Sequence, residues 1–102
     1  MIDVFHISTI HIDNLGTQVR EMFIDEEKIE VWAHTKYIYD MTFNEIDTTI
    51  AVDSIIDVAV SVKNKDYKKM TITTSDDTYD FYFENLNEVF AVYQKITNIL
   101  EK

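Results

Sequence analysis

Residues 69–100 read KMTITTSDDTYDFYFENLNEVFAVYQKITNIL, and the pattern of this segment indicates the fold class. Apolar and polar residues alternate in two short runs, separated by the turn-forming cluster Ser75-Asp76-Asp77. Alternation with period two is typical of β-strands that bury one face, and Asp and Ser favour the turn between them. The positions predicted to face the core are Met70, Ile72, Thr74, Tyr79, Phe81 and Phe83.

After Asn85 the spacing of the apolar residues changes to that of a helix. Asn85 is a suitable N-cap, and Glu88 three residues later completes a capping-box-like pair. The pattern predicts an amphipathic helix of about four turns. Its apolar face is predicted to contain Leu86, Val89, Phe90, Tyr93, Ile96 and Leu100, widened by Val92 and Ile99.

The same period-two alternation continues upstream. It predicts strands at 29–34, 37–43 and 56–63, and two less regular strands at 4–12 and 17–24. In the strand at 56–63, the residues predicted to face the core are Ile56, Val58, Val60 and Val62. The predicted turns are Asp13–Gly16, Asp25–Glu27, Asn44-Glu45 and Asn64–Asp66.

We therefore predict a mainly β protein with one C-terminal α-helix: an antiparallel barrel or sandwich of about seven strands, capped by the helix. It forms a single domain over residues 1–102, with N-terminal strands in 1–25, a strand meander in 26–84 and the helix in 85–102. A lipocalin-like barrel is the structural alternative.

Four segments between residues 26 and 100 resemble the pleckstrin-homology (PH) superfold, specifically the small bacterial PH-like domains. They are Glu27-Lys28-Ile29, Thr35-Lys36-Tyr37-Ile38, Ile50-Ala51-Val52-Asp53-Ser54-Ile55, and the passage from Tyr79-Asp80-Phe81 to Glu84-Asn85-Leu86. The resemblance implies a PH-like barrel or sandwich. These segments are packing patterns, so the resemblance implies no catalytic chemistry.

Composition excludes several functional classes. The chain has no Cys and one Gly, which excludes disulfide scaffolds, zinc ribbons, thiol catalysis, P-loops and dinucleotide fingerprints. The net charge of −10 argues against binding nucleic acid or an anionic membrane through bulk charge. Asp3 stands where a signal peptide carries a basic residue, so we expect a cytoplasmic protein, in the producing cell or in a host cell.

Groups able to perform catalysis do not converge in the sequence. His6 and His11 are predicted on opposite faces of one strand, and His34 has no carboxylate at strand spacing. The acids Asp40, Asp57 and Asp80 are all predicted to face away from the core. We expect no enzymatic activity, no cofactor and no metal site.

Charge placement predicts an acidic body with one basic tip. Residues 63–69 carry a net charge of +3, against −13 for the rest of the chain, because Lys63, Lys65, Lys68 and Lys69 lie there. This segment is interpreted as a solvated turn that discourages edge pairing. Two alternatives are docking onto an acidic surface of an identical neighbour and binding of lipid head groups. Lipid binding is disfavoured because the rest of the chain is acidic, and because this turn belongs to a later hairpin than the one with which eukaryotic PH domains bind lipid head groups.

Two aromatic residues are predicted on the polar faces of their strands. Trp32 lies between Glu30 and His34, and Tyr82 lies between Asp80 and Glu84. Aromatic anchors ringed by polar groups are typical of protein interfaces, although the N-terminal strands or the helix are equally able to cover them. The first functional hypothesis is a protein-interaction module that binds a protein partner or copies of itself as a homo-oligomer. The candidate contact residues are Trp32, Tyr82, Glu30, Asp80, Glu84, Lys63, Lys65, Lys68 and Lys69.

The alternative hypothesis is an acidic inhibitor, of the phage anti-defence or immunity type, that blocks a nucleic-acid enzyme by charge mimicry. Its carboxylates would occupy the positions of phosphates on a basic enzyme. A continuous acidic surface would favour this hypothesis, and scattered charge would favour the module. The candidate acids are Asp25, Glu26, Glu27, Glu30, Asp76, Asp77, Asp80 and Glu84. Direct nucleic-acid binding is not expected.

Overall fold

A computed structural model describes residues 4–13, 16–36, 42–61 and 68–101. Within these ranges the chain forms β-strands followed by one α-helix, which confirms the predicted class. The strands are β1 (Phe5–Asp13), β2 (Gly16–Ile24), β3 (Lys28–Lys36), β4 (Thr42–Ala51), β5 (Ile55–Ser61), β6 (Lys68–Thr74) and β7 (Thr78–Phe83). The helix α1 spans Leu86–Leu100, and a short 3₁₀ helix, Val52–Ser54, connects β4 to β5.

The strands form one antiparallel sheet in the order β4-β3-β2-β1-β7-β6-β5. Two meanders, β1 to β4 and β5 to β7, meet where Ile10 of β1 pairs with Tyr82 of β7. Because β4 and β5 stand at the two ends of this order, the described strands do not close into the barrel of a lipocalin-like protein. The arrangement is compatible with a PH-like fold.

One hydrophobic core joins both meanders and the helix. Met22 and Ile29 from the first meander belong to the same buried cluster as Met70 and Phe83 from the second and Val92 from α1. The two parts of the sheet therefore enclose a shared core, as packed sheets do. We call the core side of each strand its inner face and the opposite side its outer face.

The N-cap of α1 is as predicted, but its buried face differs. The side-chain oxygen of Asn85 accepts a hydrogen bond from the Glu88 backbone N–H at 2.9 Å, and the Asn85 amide donates to Glu88 Oε1 at 2.7 Å. The buried helix residues are Val89, Val92 and Ile96, whereas the predicted core residues Leu86, Phe90 and Leu100 are exposed. The apolar stripe is wider than the contact with the sheet, so only its centre is buried.

The core-facing register predicted for β5 is wrong at its first residue. Val58 and Val60 pack against the core as expected, but Ile56 is 68% exposed and Ile55 packs inward instead. The pairing of β5 with β6 shifts between Ile55 and Asp57, so Ile56 is the extra residue of a β-bulge. A bulge interrupts the period of two. Val62 lies outside the described residues.

The predicted turn at Asn44-Glu45 is wrong, because both residues lie inside β4. Their backbones pair with His34 and Ala33 of β3, and this pairing overrides the low strand propensity of Asn and Glu. Most of the strand predicted over 37–43 lies outside the described residues. A bulge in β4 also leaves Asp47 without a Cα partner on β3.

Two of the predicted turns are formed by local side-chain hydrogen bonds. The Asp25 carboxylate accepts from the backbone N–H groups of Glu27 and Lys28, at 2.7 and 2.9 Å. The Thr74 hydroxyl accepts from the N–H of Asp77 at 3.0 Å. At the β1–β2 connection Gly16 has φ +122°, a conformation that favours glycine. The predicted turn at Asn64–Asp66 lies outside the described residues.

Candidate functional site

Trp32 lies on the outer face of β3, as the sequence predicts. Its cross-strand partner on β2 is Glu21, and the pair Phe23 and Glu30 follows on the same face. The intervening pair, Met22 and Val31, is buried on the inner face. Phe23 and Trp32 are therefore diagonal neighbours, and side chains in that relation lie about 7–8 Å apart, within reach of aromatic rings.

These residues line a hollow of about 470 Å³ on the outer face, which we call the Trp32 hollow. Its apolar part comes from Val4, Phe23 and Trp32. Its polar part comes from Glu21, Asp25, Lys28 and Glu30. An apolar floor with a charged rim is the composition expected of a small protein-binding site.

One ring stack and two charged contacts involve the side chains that line the hollow. The His6 ring stacks on Phe23, with ring centroids 4.6 Å apart and an interplanar angle of 18°. His6 Nε2 lies 2.5 Å from Glu21 Oε2, and Lys28 Nζ lies 3.5 Å from Glu30 Oε1. Three carboxylates and one lysine line the hollow, so its electrostatic character is acidic and favours an apolar or basic partner group.

The described elements do not stack over Trp32. The N-terminal strands extend the sheet beside β3, and α1 buries its apolar residues in the core on the inner side of the sheet. Trp32 is half-buried by its neighbours on the same face. Within the described part of the chain, the alternative that the N-terminal strands or the helix cover Trp32 is therefore not met.

Tyr82 lies in the other meander, away from Trp32. It is on β7, where its cross-strand partners are Ile10 on β1 and Lys69 on β6. Moving from β3 to β7 crosses three strand spacings of about 4.8 Å each, so the two aromatic residues do not share one cluster. The same strand carries Asp80, whose carboxylate accepts a hydrogen bond from the Thr71 hydroxyl at 2.7 Å.

The remaining predicted contact residues are dispersed or outside the described ranges. Lys68 and Lys69 begin β6, opposite Phe83 and Tyr82. Glu84 is exposed between β7 and α1. Lys63 and Lys65 fall in 62–67, outside the described residues, so the basic tip stays a prediction.

The structure brings two acidic turns together. The carbonyl of Glu27 accepts a hydrogen bond from the Val52 N–H at 2.9 Å, and the carbonyl of Ser54 accepts from the Ser75 N–H at 3.2 Å. The 3₁₀ helix therefore bridges the β2–β3 turn and the β6–β7 turn. We call the resulting set the acidic corner; its carboxylates are Asp25, Glu26, Glu27, Asp53, Asp76 and Asp77. The other candidate acids, Glu30, Asp80 and Glu84, lie on β3, on β7 and after β7.

Sequence reasoning missed Phe23 and Val4, which line the hollow with Trp32, and His6, which stacks on Phe23. A signal was present, because Met22 and Ile24 face inward and therefore place Phe23 outward between Glu21 and Asp25. These residues were missed for two reasons. The alternation is less regular in the first two strands, and the local sequence does not show that β2 pairs with β3.

The histidines confirm one geometric prediction. His6 pairs with Phe23 and His11 pairs with Gln18 along one continuous strand, so they lie on opposite faces.

Among the residues that the structure describes, no group of three or more His, Asp or Glu side chains is placed to hold a metal ion. No helix in that part of the chain is both long and apolar enough to cross a membrane.

No protein-family model matches the chain, and no curated protein matches it.

Proposed function

We propose that this chain is a non-enzymatic, acidic protein-interaction module of PH-like fold, and that the Trp32 hollow is its contact surface. The observation that carries the proposal is the diagonal placement of Phe23 and Trp32 on β2 and β3, where both line one hollow on an outer face that the described elements leave uncovered. The occupant is a protein side chain or segment, from another protein or from a second copy of the chain.

The chemistry of the hollow defines the partner group. Aromatic rings supply large contact area at low conformational cost, and Trp is enriched among residues that dominate binding energy. The rim carboxylates Glu21 and Glu30 favour a partner that places a lysine or arginine beside an apolar group. We expect removal of the Trp32 ring to cost about 2 kcal/mol of binding energy or more, roughly thirtyfold in Kd.

The PH-like and bacterial assignment is part of the same proposal. Its support is the four resembling segments together with the strand order and the C-terminal helix, which is compatible with that superfold. PH-like domains present binding surfaces on a stable sheet, so an interaction role agrees with the architecture. This agreement is an analogy between folds and does not identify a partner.

The test compares wild type with Trp32→Ala and with a control, Val19→Ser. Val19 is 58% exposed on β2 and does not line the hollow, so its variant controls for a general loss of surface hydrophobicity. Self-association is measured by sedimentation over a range of concentrations, and partner capture is measured from a lysate. We expect Trp32→Ala to reduce association strongly and Val19→Ser to leave it unchanged. Equal effects of the two variants, or no association by wild type, would overturn the proposal.

The acidic corner supports a second candidate, inhibition of a basic nucleic-acid enzyme by charge mimicry. The backbone hydrogen bonds from the Val52 N–H to the Glu27 carbonyl and from the Ser75 N–H to the Ser54 carbonyl bring together acids from three separate chain segments. Carboxylates grouped in this way present several negative charges to one basic surface.

Salt dependence and paired variants separate this candidate from the first. The measurement is protection of DNA from a panel of basic nucleases at roughly 50 and 200 mM salt, a range over which phosphate-like contacts weaken strongly. Asp76→Asn combined with Asp77→Asn should weaken inhibition, whereas the control Glu101→Gln, at the end of α1, should not. Inhibition that depends on Trp32 but not on the corner would reject charge mimicry.

A further inference from the structure

Arg20 is a buried cation on the inner face of β2. It is 9% exposed, and its cross-strand partner on β1 is Thr9, which is also buried. Its Nη1 donates a hydrogen bond to Gln18 Oε1 at 2.7 Å. Among the residues that the structure describes, its buried Nε has no hydrogen-bond partner and no carboxylate forms an ion pair with its side chain.

This arrangement is unusual for a buried charge. Buried arginines are ordinarily paired with carboxylates, because desolvating a guanidinium without an anion is costly. The chain carries 19 acidic residues, and Gln18, the acceptor that the structure shows for the side chain, is neutral. The guanidinium therefore retains donors and a positive charge that an anion would satisfy.

Arg20 lines a cavity of about 360 Å³ between β1, β4 and β7. That volume falls in the range of small-ligand sites, roughly 300–1,000 Å³. Thr9, Thr48 and Tyr79 also line it, and Val31 and Phe81 supply apolar surface. The cavity thus combines one arginine, neutral polar residues, apolar walls and one acid.

One acid in the same lining restricts the ligand. Asp47, the bulged residue of β4, contributes to the wall. Its negative charge repels a phosphate, which carries about −1.5 to −2 at neutral pH, more strongly than a monoanion. A carboxylate also matches the planar fork of a guanidinium and accepts two N–H groups side by side.

We propose that this cavity binds a small monocarboxylate, whose carboxylate oxygens accept hydrogen bonds from the Arg20 guanidinium and whose organic part occupies the space beside Val31 and Phe81. This site faces the inner side of the sheet and is separate from the Trp32 hollow. The proposal does not depend on the protein-interaction function.

The chain has a single arginine, so its Nε–H signal in a ¹H–¹⁵N NMR spectrum is unambiguous. Wild-type protein is titrated with acetate, butyrate and benzoate, and separately with phosphate and chloride at matched ionic strength. We expect a saturable shift of the Arg20 Nε–H signal, and slower exchange of its proton with water, for at least one carboxylate only. No saturable shift with any carboxylate, or equal affinity for phosphate, would refute the site.

Variants test the two charges of the cavity. Arg20→Lys keeps the charge but loses the fork, so carboxylate binding followed by backbone amide signals should weaken at least about tenfold. Asp47→Asn removes a repelling charge and should tighten binding about threefold, whereas the control Asp57→Asn, an exposed acid outside the cavity, should not. If Arg20→Lys does not fold, the wild-type titration and the Asp47 and Asp57 pair decide the outcome. Unchanged affinity in Asp47→Asn, or in folded Arg20→Lys, would contradict the proposal.

Discussion

The docking of α1 onto the sheet gives the sharpest test of the fold. Ile96 and Leu86 lie on the same helix and lose the same number of carbon atoms when changed to alanine. The apolar pattern of the sequence assigns both to the core. In the structure Ile96 is 1% exposed and packs in the core cluster, whereas Leu86 is 43% exposed at the first turn. Comparing the two substitutions therefore tests the observed packing, because the sequence pattern alone predicts equal effects.

The expected magnitudes follow from burial. Truncating a buried isoleucine to alanine costs about 2–5 kcal/mol, since transfer energy is lost and a cavity remains. The better helix propensity of alanine offsets only about 0.4 kcal/mol of this loss. We expect Ile96→Ala to lose about 3 kcal/mol, roughly 12–24 °C in Tm for a domain of this size. Leu86→Ala should lose about 1 kcal/mol or less, because much of its side chain already contacts water.

The assay is urea denaturation followed by the fluorescence of the single tryptophan and by far-ultraviolet circular dichroism. Coincident transitions in the two signals justify a two-state free energy for each variant. Equal destabilisation by the two variants would refute the packing described for α1, because it is the result expected if both residues were buried as the apolar pattern predicts.

Three further substitutions test local hydrogen bonds by the same denaturation assay. Asn85→Ala removes the helix N-cap and should cost about 1 kcal/mol, against little change in the exposed control Asn87→Ala; no difference between them would contradict the cap. Asp25→Ala leaves the N–H groups of Glu27 and Lys28 without their acceptor and should cost about 1 kcal/mol, a loss that Asp25→Asn should largely avoid. Thr74→Val removes the acceptor for the Asp77 N–H beneath the β6–β7 turn and should cost about 1–3 kcal/mol; stability equal to wild type would show that the turn does not need this hydroxyl.

Much of the architecture follows from local pattern, because period two and period 3.6 are properties of neighbouring residues. Met70, Ile72, Phe81 and Phe83 are buried as their alternation predicts, and Asn85 begins the helix as its capping chemistry predicts. These features need no knowledge of which strand lies beside which.

The failures occur where a partner strand sets the register. Ile56 is exposed because a bulge against β6 shifts the phase of β5, and Asn44 lies in a strand because β3 pairs with it. The candidate site depends on the same non-local information. Trp32 is recognisable as an outward aromatic residue, but its position diagonal to Phe23 requires the alignment of β2 with β3.

The class of fold, the cap of the helix, the outward position of Trp32 and the acidic charge follow from the sequence, since each depends on residue type and local spacing. The acidic corner, the buried face of α1 and the burial of Arg20 follow from the tertiary structure. These depend on contacts between residues far apart in the chain: Glu27 with Val52, Ser54 with Ser75, and Arg20 with the walls contributed by β4 and β7. When the two meanders fold around one core, they bring together side chains whose proximity the local sequence periodicity does not predict.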